Sequence, residues 1–211
     1  MIRPSLLLRL CGAGLLALSL SACISLFPEA EPSQLYRFEG RPAALLSAAG
    51  ERTGNVGVAR SGGSFTRAAA GDRLLAITGA QASYIAESRW VAPAVTLFDE
   101  AVARAFDLNS GAARLVSRLE ASRAEYSLRL DVVRFEAVYD RGPRAAPVVH
   151  VSLRATLARA DRSLAGAQVF ETQVRAADNR VSAIVEAYDQ AVGQALGELV
   201  TWTNRTATPA G

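Results

Sequence analysis

The stretch YSLRLDVVRFEAVY, residues 126–139, decides how this chain folds. Apolar residues occupy the even positions from Tyr126 to Val132 and the odd positions from Val133 to Tyr139. Successive side chains of a strand point to opposite faces, so the alternation predicts a long strand with one buried face. The change of parity between Val132 and Val133 predicts a β-bulge, because a bulge adds one residue to one strand.

Two later stretches predict partners for this strand. Residues 149–157 alternate in the same way, with His150 on the polar side, and a last strand is expected around Phe170. Turn residues separate the three segments at 140–143 and 161–163, so the order predicts an antiparallel meander. Shorter strands are predicted upstream at 34–39, 55–60, 74–77 and 82–90, with Ser61, Gly62 and Gly63 ending the second of them.

Two amphipathic helices are predicted to cover this sheet. The first begins near Pro93 and has an apolar face that includes Leu97 and Phe98. The second carries an apolar stripe from Val181 to Leu199, a length of about 30 Å at 1.5 Å per residue. The predicted fold is therefore α+β, an antiparallel sheet with two amphipathic helices packed mainly on one face.

The N-terminus has the parts of a secretory signal peptide. Two arginines precede an apolar run at 10–20 that is too short to span a bilayer, and small residues follow it. The sequence LSAC, residues 20–23, resembles the lipobox of bacterial lipoproteins, in which the cysteine is acylated and becomes the new N-terminus. We expect acylation, as by palmitate, at Cys23 and removal of residues 1–22. The alternative is an ordinary signal peptide with a coincidental cysteine.

A tether follows the predicted acylation site. Proline and glutamate disfavour packing at 24–34, and about ten extended residues reach roughly 30 Å. In enteric bacteria, an aspartate directly after the acylated cysteine retains lipoproteins at the inner membrane. The residue after Cys23 is not aspartate, so the resemblance to lipoproteins favours an anchor in the outer membrane, with the domain facing the periplasm. The predicted organisation is a signal peptide at 1–22, an acylated cysteine and tether at 23–34, one α+β domain at 35–204 and a polar tail at 205–211.

Composition argues against several classes of function. All 23 basic residues are arginines scattered among 20 acidic residues, so we expect no nucleic-acid binding. Beyond Cys23 the mature chain has no thiol, and His150 is its only histidine, which excludes a multi-histidine metal site. Neither a phosphate-binding loop nor a Gly-x-Ser-x-Gly elbow occurs. We therefore expect no enzyme activity, no cofactor and no metal; a periplasmic hydrolase is the least favoured alternative.

Three features together resemble the ABC-type transport auxiliary lipoprotein family. They are a lipobox followed by a Leu-Tyr strand, a tyrosine strand leading into Trp-x-x-Pro and a helix, and a meander followed by a long helix with a late tryptophan. In this sequence they are Cys23 with Leu35 and Tyr36, Tyr84 with Trp90 and Pro93, and Trp202. The chain departs from the family at residues 60–65, where members often have a proline and a tyrosine.

The resemblance implies a function in lipid transport across the envelope. The chain would be a non-enzymatic lipoprotein that tethers or docks a periplasmic MCE-domain protein at the outer membrane, with an ABC permease and ATPase as further partners. Tyr84, Trp90 and Trp202 are candidates for partner or core contacts, and the apolar segment 42–46 is interpreted as a buried connector or a partner-binding loop. The alternative function is a general envelope scaffold or assembly lipoprotein. The sequence leaves open the lipid and whether the chain forms a homo-oligomer.

Overall fold

A computed structural model of the protein describes residues 33–46, 55–117 and 119–207, and within them an eight-stranded sheet. The predicted signal peptide, lipobox and most of the tether lie outside the described residues. In chain order the elements are β1 (Gln34–Tyr36), α1 (Ala43–Leu46), β2 (Val56–Phe65), β3 (Arg73–Thr78), β4 (Gln81–Trp90), α2 (Ala94–Asp107), β5 (Ala113–Leu115), a 3₁₀ helix (Ala121–Arg123), β6 (Tyr126–Val138), β7 (Val148–Arg159), β8 (Leu164–Arg175) and α3 (Val181–Thr206).

Strands β6, β7 and β8 form the antiparallel meander that the alternation predicts. β7 pairs along the whole length of β6, and β8 pairs along β7. The register of β6 against β7 shifts between Val132 and Arg134, which confirms the predicted bulge. Val133 is the extra residue of the bulge. Its side chain is exposed rather than on the core face where the parity placed it, because the bulged residue drops out of the alternation.

The rest of the sheet differs from the prediction. β2 and β3 lie one after the other along the second edge of β6, and both run parallel to it. β4 is antiparallel to β3, while the short strands β1 and β5 are parallel to β4 and β2 respectively. The α+β class is confirmed, but the sheet is mixed rather than antiparallel. β3 and β6 are separated in the chain by β4, α2 and β5, and a connection of this length allows the two strands to pair in parallel.

Strand β2 continues through the glycines that were expected to end it. Gly62 and Gly63 have φ angles of +82° and +138°, and the register of β2 against β6 shifts between Arg60 and Gly63. A Cβ atom on Gly63 would lie 1.8 Å from the carbonyl oxygen of Leu130. Glycine tolerates both the positive φ and this close approach, so the pair forms an irregularity inside the strand rather than its end.

Helices α2 and α3 bury the apolar faces predicted for them. The buried residues of α2 are Ala94, Leu97, Phe98, Ala101, Val102, Ala105 and Phe106. Helix α3 buries its predicted stripe except for the half-buried Val181. It ends at Thr206 and is followed by a buried Ala207, so the folded part extends past the boundary expected at residue 204. Among the described residues, no helix is both long and apolar enough to cross a membrane.

An aromatic cluster fills the space between the helices and the sheet. The ring of Phe135 on β6 lies 5.4 Å from that of Phe38, 5.3 Å from that of Phe65 and 4.9 Å from that of Tyr188. Aromatic pairs at such distances contribute about 0.5–1.5 kcal/mol each beyond the burial of their surface. The buried Tyr188 hydroxyl donates to the carbonyl oxygen of Leu75 at 3.3 Å, so the cluster also joins α3 to β3.

Candidate interaction surfaces

Trp90 lies in the core. It is the last residue of β4, and only 2% of its surface is exposed. Its ring meets those of Phe38 at 5.1 Å and Tyr188 at 5.3 Å, both edge to face. The indole therefore fixes the point at which the chain leaves the sheet for α2, and a partner protein could not reach it without unfolding this corner.

Trp202 is also largely enclosed. It lies in the penultimate turn of α3 and is 7% exposed. Its ring packs edge to face against Phe170 of β8 with 5.9 Å between centroids. A Cβ atom on Gly166 would come within 3.2 Å of the Trp202 ring, so the strand passes close beneath the indole. Trp202 thus holds the end of α3 against β8.

Tyr84 differs from the two tryptophans because its side chain reaches the surface. It lies on β4 and is 37% exposed. Its hydroxyl donates to the carbonyl oxygen of Ala68 at 3.0 Å, and the guanidinium carbon of Arg73 lies 4.1 Å above the ring, a cation–π arrangement. Of the three aromatic candidates, Tyr84 alone offers ring surface to a partner.

The fourth candidate residue, Cys23, lies outside the described residues.

The candidate for acid–base chemistry is His150, the only histidine in the sequence. His150 lies on the sheet face opposite the helices, between Glu136 of β6 and Gln173 of β8. Burial, and then the positive charge of Arg134, lower the pKa of His150 below its usual value, so the imidazole is neutral at pH 7. Within the described ranges, no three His, Cys, Asp or Glu side chains gather as a metal ion would require.

One groove, of about 420 Å³, runs between β2 and α2. Apolar side chains line it, among them Phe65, Phe98 and Val102. Arg60, which also lines the groove, donates to the carboxylate of Asp99 at 3.2 Å. The Nε atom of Arg60 is buried and has no hydrogen-bond partner among the described residues, so this ion pair leaves one donor unsatisfied.

The connector after β1 is held against helix α3 by a carboxylate. One oxygen of Asp189 accepts the backbone N–H groups of Glu39 at 2.6 Å and of Gly40 at 2.8 Å. Gly40 has a φ of +59°, and a Cβ atom there would lie 2.4 Å from a methyl group of Val192. The turn at Gly40 thus needs glycine for its conformation and for its contact with α3.

Two glycines one turn apart let the connector lie directly on α3. A Cβ atom on Gly193 would come within 2.7 Å of the carbonyl oxygen of Arg41, and one on Gly197 within 3.2 Å of the Cβ atom of Pro42. Pro42 is buried, whereas the next two residues are exposed at the start of α1. The segment 42–46, predicted to be a buried connector or a partner-binding loop, therefore has both a packed beginning and an exposed continuation.

A second groove, of about 700 Å³, lies between α1, α3 and β8. Its apolar lining includes Pro42, Ala43, Ala44 and Phe170, and its polar lining includes Gln168, Gln190, Gln194 and Thr201. The volume is within the range of small-molecule and cofactor sites. We refer to this feature below as the α1–α3 groove.

Sequence reasoning did not identify the α1–α3 groove. Each of its walls comes from a different part of the chain, and hydrophobic periodicity describes one element at a time. The signal that could have indicated it is the pair Gly193 and Gly197, because glycine weakens a helix interior and usually has a packing reason when it occurs there.

Comparisons with known proteins agree with the sequence resemblance. The model of the ABC-type transport auxiliary lipoprotein component family matches residues 70–200. No curated protein matches the sequence.

Among solved structures, protein XCC0632 of the DUF330 family, from Xanthomonas campestris, is similar with a TM-score of 0.65 and 23% identity, over 82% of this chain and 96% of that one. A second structure, of an uncharacterized protein, is similar with a TM-score of 0.64 and 14% identity, over 82% of this chain and 99% of that one. At these identities the likeness shows the fold alone.

Proposed function

This chain belongs to the ABC-type transport auxiliary lipoprotein family, and we propose that it docks a periplasmic MCE-domain protein at the outer membrane without catalysing a reaction. Family membership implies a membrane-anchored protein of the cell envelope that works with an ABC transport system. The MCE partner, the outer membrane and the docking role are the proposal.

The observation that carries the proposal is the extent of the family match. Residues 70–200 reach from the turn before β3 nearly to the end of α3. The match therefore includes the meander and both large helices, so it rests on most of the folded domain rather than on the lipobox.

The lipid anchor would supply the position. Acylation of Cys23 and a tether of about ten residues would hold the domain within roughly 30 Å of the membrane surface. One acyl chain binds a membrane only marginally, at about 0.8 kcal/mol per CH₂ group, whereas additional chains make attachment stable. We therefore infer that the domain stays close to the membrane that anchors it, in this proposal the outer membrane, and recruits its partner from the periplasm.

Binding tests the proposal directly. The full chain, purified in detergent, should bind the purified periplasmic domain of the MCE protein from the same organism. It should also recover that protein together with the ABC permease and ATPase after gentle cross-linking in cells. Recovery of other envelope proteins with none of these components would instead favour the general scaffold.

A His150→Ala variant separates docking from catalysis. We expect this variant to fold, to bind the MCE protein and to support transport as the wild type does, because His150 is not needed for docking. Loss of transport with folding and complex formation intact would favour an enzyme, since a triad or a metal mechanism in this chain would have to use its one histidine.

A further inference from the structure

Strand β8 has one edge that no described strand occupies. β7 pairs with its other edge along the strand, and the N–H of Ala176, just after β8, donates to the carbonyl oxygen of Pro147 at 2.9 Å. Hydrogen-bonded pairs alternate along an antiparallel ladder, so the backbone groups of residues 168, 170, 172 and 174 point toward β7. Those of residues 167, 169, 171 and 173 therefore point outward from the sheet.

Between residues 167 and 174 this edge has few of the features that usually protect an edge strand. Natural proteins shorten edges or place proline, lysine or bulges there, because outward N–H and carbonyl groups form a template for another strand. β8 has 12 residues with neither proline nor lysine. Its register irregularity against β7 lies near its start, between Leu164 and Gly166, and Glu171 is the charged residue of the outward-pointing set. Val169, at the centre of the outward-pointing set, is 49% exposed. The edge is therefore suited to accept a further strand.

The α1–α3 groove continues from this edge. Gln168 and Phe170 of β8 have side chains on the helix-bearing face, and both line the groove. A strand added to β8 would lie about 4.8 Å from it, and every second side chain would point to the same face as Phe170. These side chains would enter the groove, so the edge and the groove form one site with a backbone part and a side-chain part.

We propose that an extended segment of the transport partner adds to the edge of β8 as a ninth strand, with alternate side chains in the α1–α3 groove. This rests on the proposed function, which supplies the partner. The apolar lining at Ala44 and Phe170 favours apolar side chains on the groove side. On the other face we expect an apolar residue opposite Val169 and a basic residue opposite the exposed Glu171.

A bare extended segment fits the site better than a second copy of this chain. Self-pairing of β8 would bring the α3 helix of the second copy, and a helix with side chains is about 10–12 Å across. A groove of about 700 Å³ has room for side chains but not for another helix layer. The edge also lies at the opposite end of the strand order from β1, through which the chain enters the domain.

Substitution of Val169 tests the backbone part of the site. Val169→Pro removes one outward N–H group, which an edge strand tolerates because that group is not bonded within the sheet. Val169→Ala keeps the N–H and is the matched control. With the full chain in detergent and the MCE periplasmic domain, we expect Kd to rise about tenfold or more for Val169→Pro and less than about twofold for Val169→Ala.

Substitution on α3 tests the side-chain part. Gln194→Trp places a large ring in the groove, whereas Glu186→Trp places the same ring at an exposed position of α3 that does not line it. We expect Gln194→Trp to weaken MCE binding about tenfold and Glu186→Trp to leave it within about twofold of wild type. Thermal melting would establish folding of each variant, and this pair keeps the test decisive if Val169→Pro does not fold.

Residue-resolved amide hydrogen exchange locates the contact. In the free chain, the outward amides of 167, 169, 171 and 173 should exchange faster than the inward amides of 168, 170 and 172, and the MCE domain should slow the outward set. If the outward amides of the free chain exchange slowly and the chain is a dimer or a larger oligomer, the proposal is overturned in favour of a second copy. The same slow exchange in a monomer would overturn it in favour of a segment of the chain itself.

Two outcomes distinguish this inference from the proposed function. Unchanged binding by both Val169→Pro and Gln194→Trp, with wild-type binding intact, would overturn the strand addition and leave the docking function standing. Failure of the wild-type chain to bind the MCE domain would overturn the docking function and the strand addition with it.

Discussion

Asp189 illustrates how a residue on the polar face of a helix can hold a fold together. The helical pattern places it opposite the apolar stripe of α3, where solvation would be its ordinary role. Instead, one carboxylate oxygen accepts two backbone N–H groups from the connector 150 and 149 residues earlier in the chain. No local pattern predicts such a contact, because the acceptor and the donors come together only after the domain has folded.

Removing this acceptor should destabilise the domain. In Asp189→Ala, the N–H groups of Glu39 and Gly40 lose their partner in a partly buried place, and such a loss typically costs about 1–3 kcal/mol. Asp189→Asn keeps a side-chain oxygen and is expected to lose less. Urea unfolding of the two variants would measure the difference, and equal stabilities for wild type and Asp189→Ala would contradict the role assigned to this carboxylate.

Aromatic residues could be found from the sequence, but their surroundings could not. Trp90, Trp202 and Tyr84 stand out by type and by position, and either core packing or partner contact was a reasonable expectation for each. The structure encloses the two tryptophans and leaves the Tyr84 ring partly exposed. Whether such a ring is buried or exposed depends on the residues that pack around it in the folded domain. Around Trp90 these are Phe38 and Tyr188, which are distant in the sequence.

Elements with a strong period could be predicted closely. The apolar face of α2, the stripe of α3 and the bulge in β6 all follow from spacing along a single segment. Strand direction could not be predicted in this way, because an alternating strand has the same pattern whether its neighbour is parallel or antiparallel. Strand β2 passed through two glycines for a related reason: its irregularity depends on the close approach of Leu130 from another strand.

At Gly193 we expect an exception to the rule that alanine stabilises a helix interior more than glycine does. Replacing glycine by alanine within a helix usually stabilises it by about 1 kcal/mol. In α3, however, the new Cβ atom would lie 2.7 Å from the carbonyl oxygen of Arg41. This is a backbone atom, so no side-chain rotation can relieve the contact. We expect Gly193→Ala to destabilise the domain by about 1–3 kcal/mol, the usual cost of overpacking.

Gly197, one turn further along α3, allows the destabilisation to be compared at a looser contact. A Cβ atom on Gly197 would meet Pro42 at 3.2 Å, so Gly197→Ala should cost less than Gly193→Ala. Gln194→Ala, at an exposed position between them, should change stability little. Denaturant unfolding would rank the three variants, and a stabilising Gly193→Ala would show that the connector does not lie against α3 in solution.

At the scale of the whole molecule, the proposed docking edge and β1, into which the predicted tether leads, lie at different ends of the sheet. β1 is at one end of the strand order, whereas β8 is at the other. Pairing along β6 and β7 connects the two ends through continuous backbone hydrogen bonds. The sheet therefore holds β1 and the edge of β8 in fixed positions, and we expect anchoring and docking to be separable by mutation.

The anchor prediction uses this separation. Cys23 is the only thiol that remains after removal of residues 1–22, so Cys23→Ala should abolish labelling by a palmitate analogue and remove the protein from the outer-membrane fraction. Cys23 precedes residue 33, where the described part of the chain begins, so the purified variant should still bind the MCE periplasmic domain with the affinity of the wild type, while transport in cells should fall. Cell fractionation, acyl labelling and a binding measurement on the same variant would check the three parts.

Two outcomes would contradict this prediction. Continued labelling of Cys23→Ala would contradict the lipoprotein assignment at this residue. Loss of MCE binding in solution would mean that the acylated N-terminus itself forms part of the docking surface.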